Sequence, residues 1–206
     1  MRKLSHIQES VWGDIRKRAD GTVVKKEDQD MMDRINDFVQ RHNLKKDRYH
    51  VNADFSVDII GNISIVKDDL IDGKLPFKFK KIEGTMYLTN NLQLETLENA
   101  PREVTGDFVI YQNKFKDFIG GPEIVGGDFA ANFNRRLESL DGSPKKVGGN
   151  YSIVFCTSIN DIRGISPEIG GNLEITDDVK WEVRHNYTDE EYRKYSNIKG
   201  NIIRRK

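Results

Sequence analysis

Cysteine is almost missing from this chain: Cys156 is the single one among 206 residues. That excludes an intramolecular disulfide framework and fits a reducing compartment, or a particle assembled in one. Neither charge sign is in excess, because 33 Lys and Arg balance 33 Asp and Glu. No global basic field therefore announces nucleic acid, and no acidic one announces a cationic ligand. No apolar run approaches the length of a membrane span. The opening Met1-Arg2-Lys3-Leu4 breaks into His6, Gln8 and Glu9, so a secretory signal is not expected either. His6, His42, His50 and His185 are scattered without metal-ligand spacing. Asp68-Asp69 and Asp72-Gly73 fail as a calcium loop, since Leu70 is apolar at the third position and no glutamate stands at the twelfth. The glycine pairs precede no Lys-Ser/Thr, so no phosphate loop qualifies. Without a catalytic constellation, metal or cofactor site, the chain is read as a non-enzyme.

What is present is a period. Gly61, Gly84, Gly106, Gly127, Gly149 and Gly171 lie 23, 22, 21, 22 and 22 residues apart. Pro76, Pro101, Pro122, Pro144 and Pro167, all the prolines of the chain, fall one to an interval. Such spacing marks a solenoid, in which each repeat forms one coil and only stacking completes a core.

Aligned on those glycines, the repeats give columns. The second residues are Ile63, Met86, Phe108, Phe129, Tyr151 and Leu173, and the fourth are Ile65, Leu88, Ile110, Ala131, Ile153 and Ile175. Two apolar columns two residues apart share the inward face of a short strand. The seventh column reads Asp68, Asn91, Asn113, Asn134, Cys156 and Asp178, short polar side chains able to bond the backbone where the coil turns. Cys156, inside that column, is read as a buried structural thiol. Leu94, Phe115, Leu137 and Ile159, then Leu97, Phe118, Leu140 and Ile162, supply two more apolar columns.

Written out, Phe108-x-Ile110-x-x-Asn113-x-Phe115-x-x-Phe118 resembles the leucine-rich repeat pattern over about residues 62–183. Phe, Tyr and Ile replace many leucines, Cys156 replaces one asparagine, and the return arm has no helical pattern. An extended or irregular back is therefore expected. The phrase G-x-P-x-x-V-G-G-[DN]-[FYL] is similar to leucine-rich-like repeats of large tailed phages and some bacteria. The segment from Lys3-Leu4 through Trp12-Gly13-Asp14-Ile15-Arg16-Lys17-Arg18 resembles an N-terminal stretch found on otherwise different proteins of crAss-like phages of gut Bacteroidetes. That second resemblance implies a docking or packaging tag shared by proteins of one particle.

The ends read differently from the middle. Leu4, Ile7 or Gln8, Val11, Trp12 and Ile15 predict a short amphipathic helix with Arg16-Lys17-Arg18 near its end and a turn at Asp20-Gly21. A second helix is predicted over Glu27–His42, with Met32, Ile35, Phe38 and Val39 as its stripe. From Tyr49 to Ile59 strict alternation predicts a half-buried strand or hairpin. Thr188 and Glu191 form a capping box for a last helix, and Gly200-Asn201-Ile202-Ile203 repeats the strand-start phrase ahead of a basic end. The expected fold is mainly β with terminal α: a leucine-rich-repeat-like solenoid of 21–23-residue repeats with a short parallel sheet, a helical head and a helical C-terminal cap. Its parts are a docking segment (1–26), a helix-plus-strand cap (27–61), the solenoid (62–184) and a closing cap (185–206).

In a leucine-rich-type coil, strand residues pointing away from the core line a recognition face. Here these are Ser64, Tyr87, Val109, Ala130, Ser152 and Glu174, beside Val66, Thr89, Tyr111, Asn132, Val154 and Thr176. Glu174 is the one charged residue in both rows, although 32% of the chain is charged. A neutral strip bearing Tyr87 and Tyr111 suits a protein or glycan surface better than a phosphate backbone. The expected binding residues are Tyr87, Val109, Tyr111, Asn132, Val154 and Thr176 on the strip, and Val11, Trp12, Ile15, Arg16 and Arg18 on the head. Trp12 has most area to bury against a partner. The expected function is that of a structural or adaptor component binding other proteins, set in a phage virion or the host cytoplasm. A free recognition module for a host protein or glycan is the alternative. Neither nucleic acid nor a small-molecule ligand is expected.

Overall fold

A repeat of 21–23 residues has no second layer of its own on which to bury an apolar face, so its coils must stack. The computed structural model, which describes residues 15–17, 23–91, 93–176 and 187–205, shows that stack. The chain forms two compact units, Met1–Lys45 and Lys46–Lys206.

In the first unit, β1 (Ile15–Lys17) pairs antiparallel with β2 (Val23–Lys25), Arg16 opposite Val24. Ile15 and Arg16 thus lie on a strand and do not close a helix as the spacing predicted. The β-branched Ile15, Val23 and Val24 favour extended backbone. The remainder of that predicted helix, including Val11 and Trp12, lies outside the described residues, as do Arg18 and the Asp20-Gly21 turn. Helix α1 (Lys26–Arg41) comes next, within a residue of its predicted bounds. Glu27 and Asp28 occupy its first turn and Arg41 its last, as the helix dipole favours, and Ile35, Phe38 and Val39 are buried.

The second unit opens with the hairpin β3 (Tyr49–Val51) and β4 (Val57–Ile60), Tyr49 opposite Ile59. Asn52 N–H donates to the Ser56 carbonyl at 2.8 Å, and Phe55 takes φ of 60° at the turn. From there the chain winds into a parallel-sheet β-solenoid of about five turns. One sheet of seven parallel strands runs β5 (Ile63–Ser64), β7 (Met86–Tyr87), β9 (Phe108–Val109), β11 (Phe129–Ala130), β13 (Tyr151–Ile153), β15 (Leu173–Thr176) and β17 (Ile202–Arg205). The other sheet has eight strands. After the hairpin it continues through β6 (Phe79–Glu83), β8 (Glu103–Val104), β10 (Ile124–Val125), β12 (Lys146–Val147), β14 (Glu168–Ile169) and β16 (Asn197–Ile198).

That second sheet shows the back to be extended, where an extended or irregular back was expected, and adds a second sheet to the single short one expected. The return arm carries its own strand just before each restart glycine. Its inward residues Ile82, Val104, Val125, Val147 and Ile169 are all 0% exposed. A strand of two residues shows too little alternation to be read from one copy. At the C-terminus, α2 (Asp189–Tyr195) starts on the capping box: Glu191 N–H donates to Thr188 Oγ1 at 3.2 Å, and Thr188 N–H to Glu191 Oε2 at 2.7 Å. It is not a terminal cap, since β16 and β17 come after it and add one strand to each sheet.

The inward columns predicted from sequence are buried throughout, from Ile63 to Leu173 and from Ile65 to Ile175. At roughly 1.5–3 kcal/mol for each large apolar side chain removed from water, these columns outweigh any other stabilising term in the coil. Phe108, Phe129 and Tyr151 stack along the axis with centroids 6.0 and 4.9 Å apart, and Phe118 meets Phe129 edge-on at 5.0 Å.

Polar ladders fix the register between coils. Asn91, Asn113 and Asn134 donate from Nδ2 to the carbonyls of Ile65, Leu88 and Ile110 at 2.9, 2.7 and 2.6 Å, each reaching the fourth-column residue of the coil before. Cys156 Sγ does the same to Ala131 at 3.0 Å. In the first coil the buried acid is Asp69, one residue later than the column predicts; its Oδ2 accepts from Val66 N–H at 2.9 Å. A second ladder lies at the glycine corner. Side-chain oxygens of Asn62, Thr85, Asp107, Asp128, Asn150 and Asn172 each accept the backbone N–H of the same position one coil on, ending at Asn201. The glycines beside it stack on one another. A Cβ at Gly171 would lie 2.6 Å from Asn150 Oδ1 and 2.8 Å from Gly149 C, so a side chain there has no room.

Candidate docking face

Alternation along the strands of the seven-stranded sheet turns its odd residues outward. Tyr87 is 37% exposed and Val66 51%, while Val109, Tyr111, Asn132 and Thr176 are half-buried. Ala130, Ser152 and Val154 are buried, so the strip is open at its first coils and closed in its middle. Ser152 Oγ donates to Asn132 Oδ1 at 2.8 Å, and the same Oδ1 accepts Val154 N–H at 2.7 Å. Asn132 is thus committed within the sheet. The last strand adds Arg205, whose guanidinium meets Glu174 at 2.9 Å and neutralises the strip's one acid.

The outer face of the eight-stranded sheet is built from the opposite material. Lys81 lies 3.3 Å from both Glu83 and Glu103. Glu123 sits between Arg102 at 3.2 Å and Lys145 at 2.8 Å, and Lys146 pairs with Glu168 at 3.2 Å. Each coil offers a charge opposite to that of its neighbour, so the face is balanced from within. The Lys145 hydrogen bond, with Arg102 beside it, holds the Glu123 carboxyl below its ordinary value. Hydrogen bonds from Lys81 to Glu103 and Glu83 raise the Lys81 ammonium. A cleft of about 620 Å³ over this face is lined by Ile60, Ile124 and several of these paired charges.

Of the residues expected on the head, Ile15 and Arg16 are placed on β1; Val11, Trp12 and Arg18 lie outside the described residues. The strip residues Tyr87, Val109, Tyr111, Asn132, Val154 and Thr176 fall on or directly after successive strands of one sheet. Burial pushes the Cys156 thiol up to about 12, away from a nucleophile's range. Among the described residues, no group of three or more His, Cys, Asp or Glu could hold a metal ion, and no helix is long and apolar enough to cross a membrane. No protein-family model, no curated protein and no solved structure matches this chain.

One feature of the surface was not predicted. Asn90, Gln112, Phe133 and Phe155 stand at the same place in successive coils, with φ of 58°, 56°, 62° and 60°. This left-handed corner ends the outer strand and aims the next residue, Asn91, Asn113, Asn134 or Cys156, into the core. Two amides followed by two phenylalanines share no single chemistry, so only their spacing could have exposed the column.

Proposed function

We propose that this chain is a non-enzymatic scaffold that docks another protein on the outer face of its seven-stranded sheet. The observation that carries the reading is the contrast in charge. Outward positions from Ser64 to Thr176 hold one charged residue, and it is paired, in a chain that is 32% charged. Protein interfaces are depleted in charge at their centre and enriched in tyrosine, which Tyr87 and Tyr111 provide. Seven strands spaced by about 4.8 Å present a sheet roughly 29 Å across, the width of a modest interface.

The resemblance of the coils to leucine-rich-like repeats of large tailed phages supplies the setting, a virion component. The N-terminal segment with Trp12 would then be its tether. The test compares Tyr87→Asp/Tyr111→Asp, and separately Trp12→Ala, with the parent chain for co-sedimentation with purified particles and for melting temperature. Unchanged melting with lost association supports the reading. Association that survives both changes contradicts it.

A further inference from the structure

The left-handed corner holds a site that the protein-docking reading does not use. We propose that it binds a nucleotide, a planar base carrying an adjacent phosphate, either free or within a single strand.

A left-handed backbone suits Asn90, but it is disfavoured for Gln112 and strained for a bulky aromatic residue. Phe133 and Phe155 nevertheless occupy the next two corners, their rings stacked at 4.8 Å and 26°. Phe133 is 40% exposed, so core burial does not explain the choice. A cleft of about 450 Å³ opens beside it, with Asn90, Gln112, Lys114, Phe133, Arg135 and Arg136 among its lining residues. Because Phe155 does not line the cleft, the open space lies on the Gln112 side of the Phe133 ring. A flat ring entering there continues the existing stack as its third member. The amides of Asn90 and Gln112 offer both donors and acceptors to the ring edge.

Charge decides what the ring must carry. Lys81, Arg102, Lys145 and Lys146 over the eight-stranded sheet are paired with acids, whereas Lys114, Arg135 and Arg136 form no ion pair among the described residues. Three unpaired cations beside an aromatic face match a phosphate beside a base. The volume is in the range of small-ligand pockets. Composition concealed this site: the net charge is zero, and the lining residues are spread from 90 to 136.

The test is calorimetric titration of the full chain with AMP, with the ten-nucleotide strand dA10, with ribose 5-phosphate, and with a ten-residue polyglutamate peptide. The informative variant is Phe133→Asn. Asparagine already occupies this corner at Asn90, so the fold should melt at or above the parent's temperature while the stacking face is lost. The expected results are binding of AMP or dA10, about tenfold weaker binding of ribose 5-phosphate, and about tenfold weaker binding by Phe133→Asn. Arg135→Gln/Arg136→Gln should weaken binding and flatten its salt dependence. Binding of AMP identifies a free nucleotide as sufficient, and binding of dA10 alone identifies a strand. The proposal is overturned if neither binds, if Phe133→Asn binds both as tightly as the parent, or if polyglutamate binds as well as dA10, which would make the cleft an acidic-peptide site.

Discussion

The seven-stranded and eight-stranded sheets are cut from the same coils, and inside they are alike. Both turn short, fully buried apolar columns toward a shared core, Ile110 and Phe108 from one side, Val104 and Val125 from the other. Outside they diverge. One face is a mesh of opposite charges that satisfy each other from coil to coil, and the other is nearly uncharged and bears tyrosines. Because exposed ion pairs contribute little to stability, the fold does not require the charged face, nor does it forbid the neutral one. The inward columns and backbone ladders specify the coil, which leaves the outward residues available for binding.

The strongest break of that comparison is a charge in either inward column. Ile110→Asp and Val125→Asp should each destabilise the second unit by more than about 4 kcal/mol, since an unpaired carboxylate would enter a core that neighbouring coils share. Urea unfolding of the two variants should agree; a variant melting like the parent would show that its residue faces outward. Next comes the asparagine ladder. Asn134→Ala removes bonds to the Ile110 and Ala131 carbonyls and the acceptor for Asn113 N–H, so a loss of about 1–3 kcal/mol is expected in the same assay.

Much of this was legible in the sequence because it repeats. Six copies of an apolar pair two residues apart left one reading for the first sheet, and the asparagine column was visible even with Cys156 in it. The return strands were missed because all but the first, β6, are only two residues long with one inward residue, as in Lys146-Val147. The corner ladder from Asn62 to Asn172 was visible as a preference for Asp or Asn after glycine, but its partner, a backbone N–H one coil away, has no sequence signal. Helical spacing through Ile15 misled because Val23 and Val24 supply a strand partner for Ile15–Lys17. The cleft beside Phe133 depends on stacking and could not be read from a single repeat.

Smaller effects separate the faces further. Cys156 is neutral in the fold, with burial raising its thiol from the ordinary 9.0 to about 12. The stability it contributes is full below the lower value and is lost as pH rises through the higher, because the unfolded thiol ionises first. A melting series from pH 8 upward should show this decline, and Cys156→Ser should reduce it. The smallest effect is expected on the charged face. Glu123→Gln removes the acid shared by Arg102 and Lys145, yet the melting temperature should stay within experimental scatter at low and high salt. A clear loss would mean that the ion-pair mesh supports the fold.

The neutral face is the central claim, and photo-crosslinking from each sheet tests it most directly. A photoreactive phenylalanine analogue replaces Tyr111 in one sample and Lys146 in another, and each is irradiated with purified particles. The account predicts a discrete protein adduct from position 111 and none from position 146. An adduct from position 146 alone, or equal adducts from both, would contradict it.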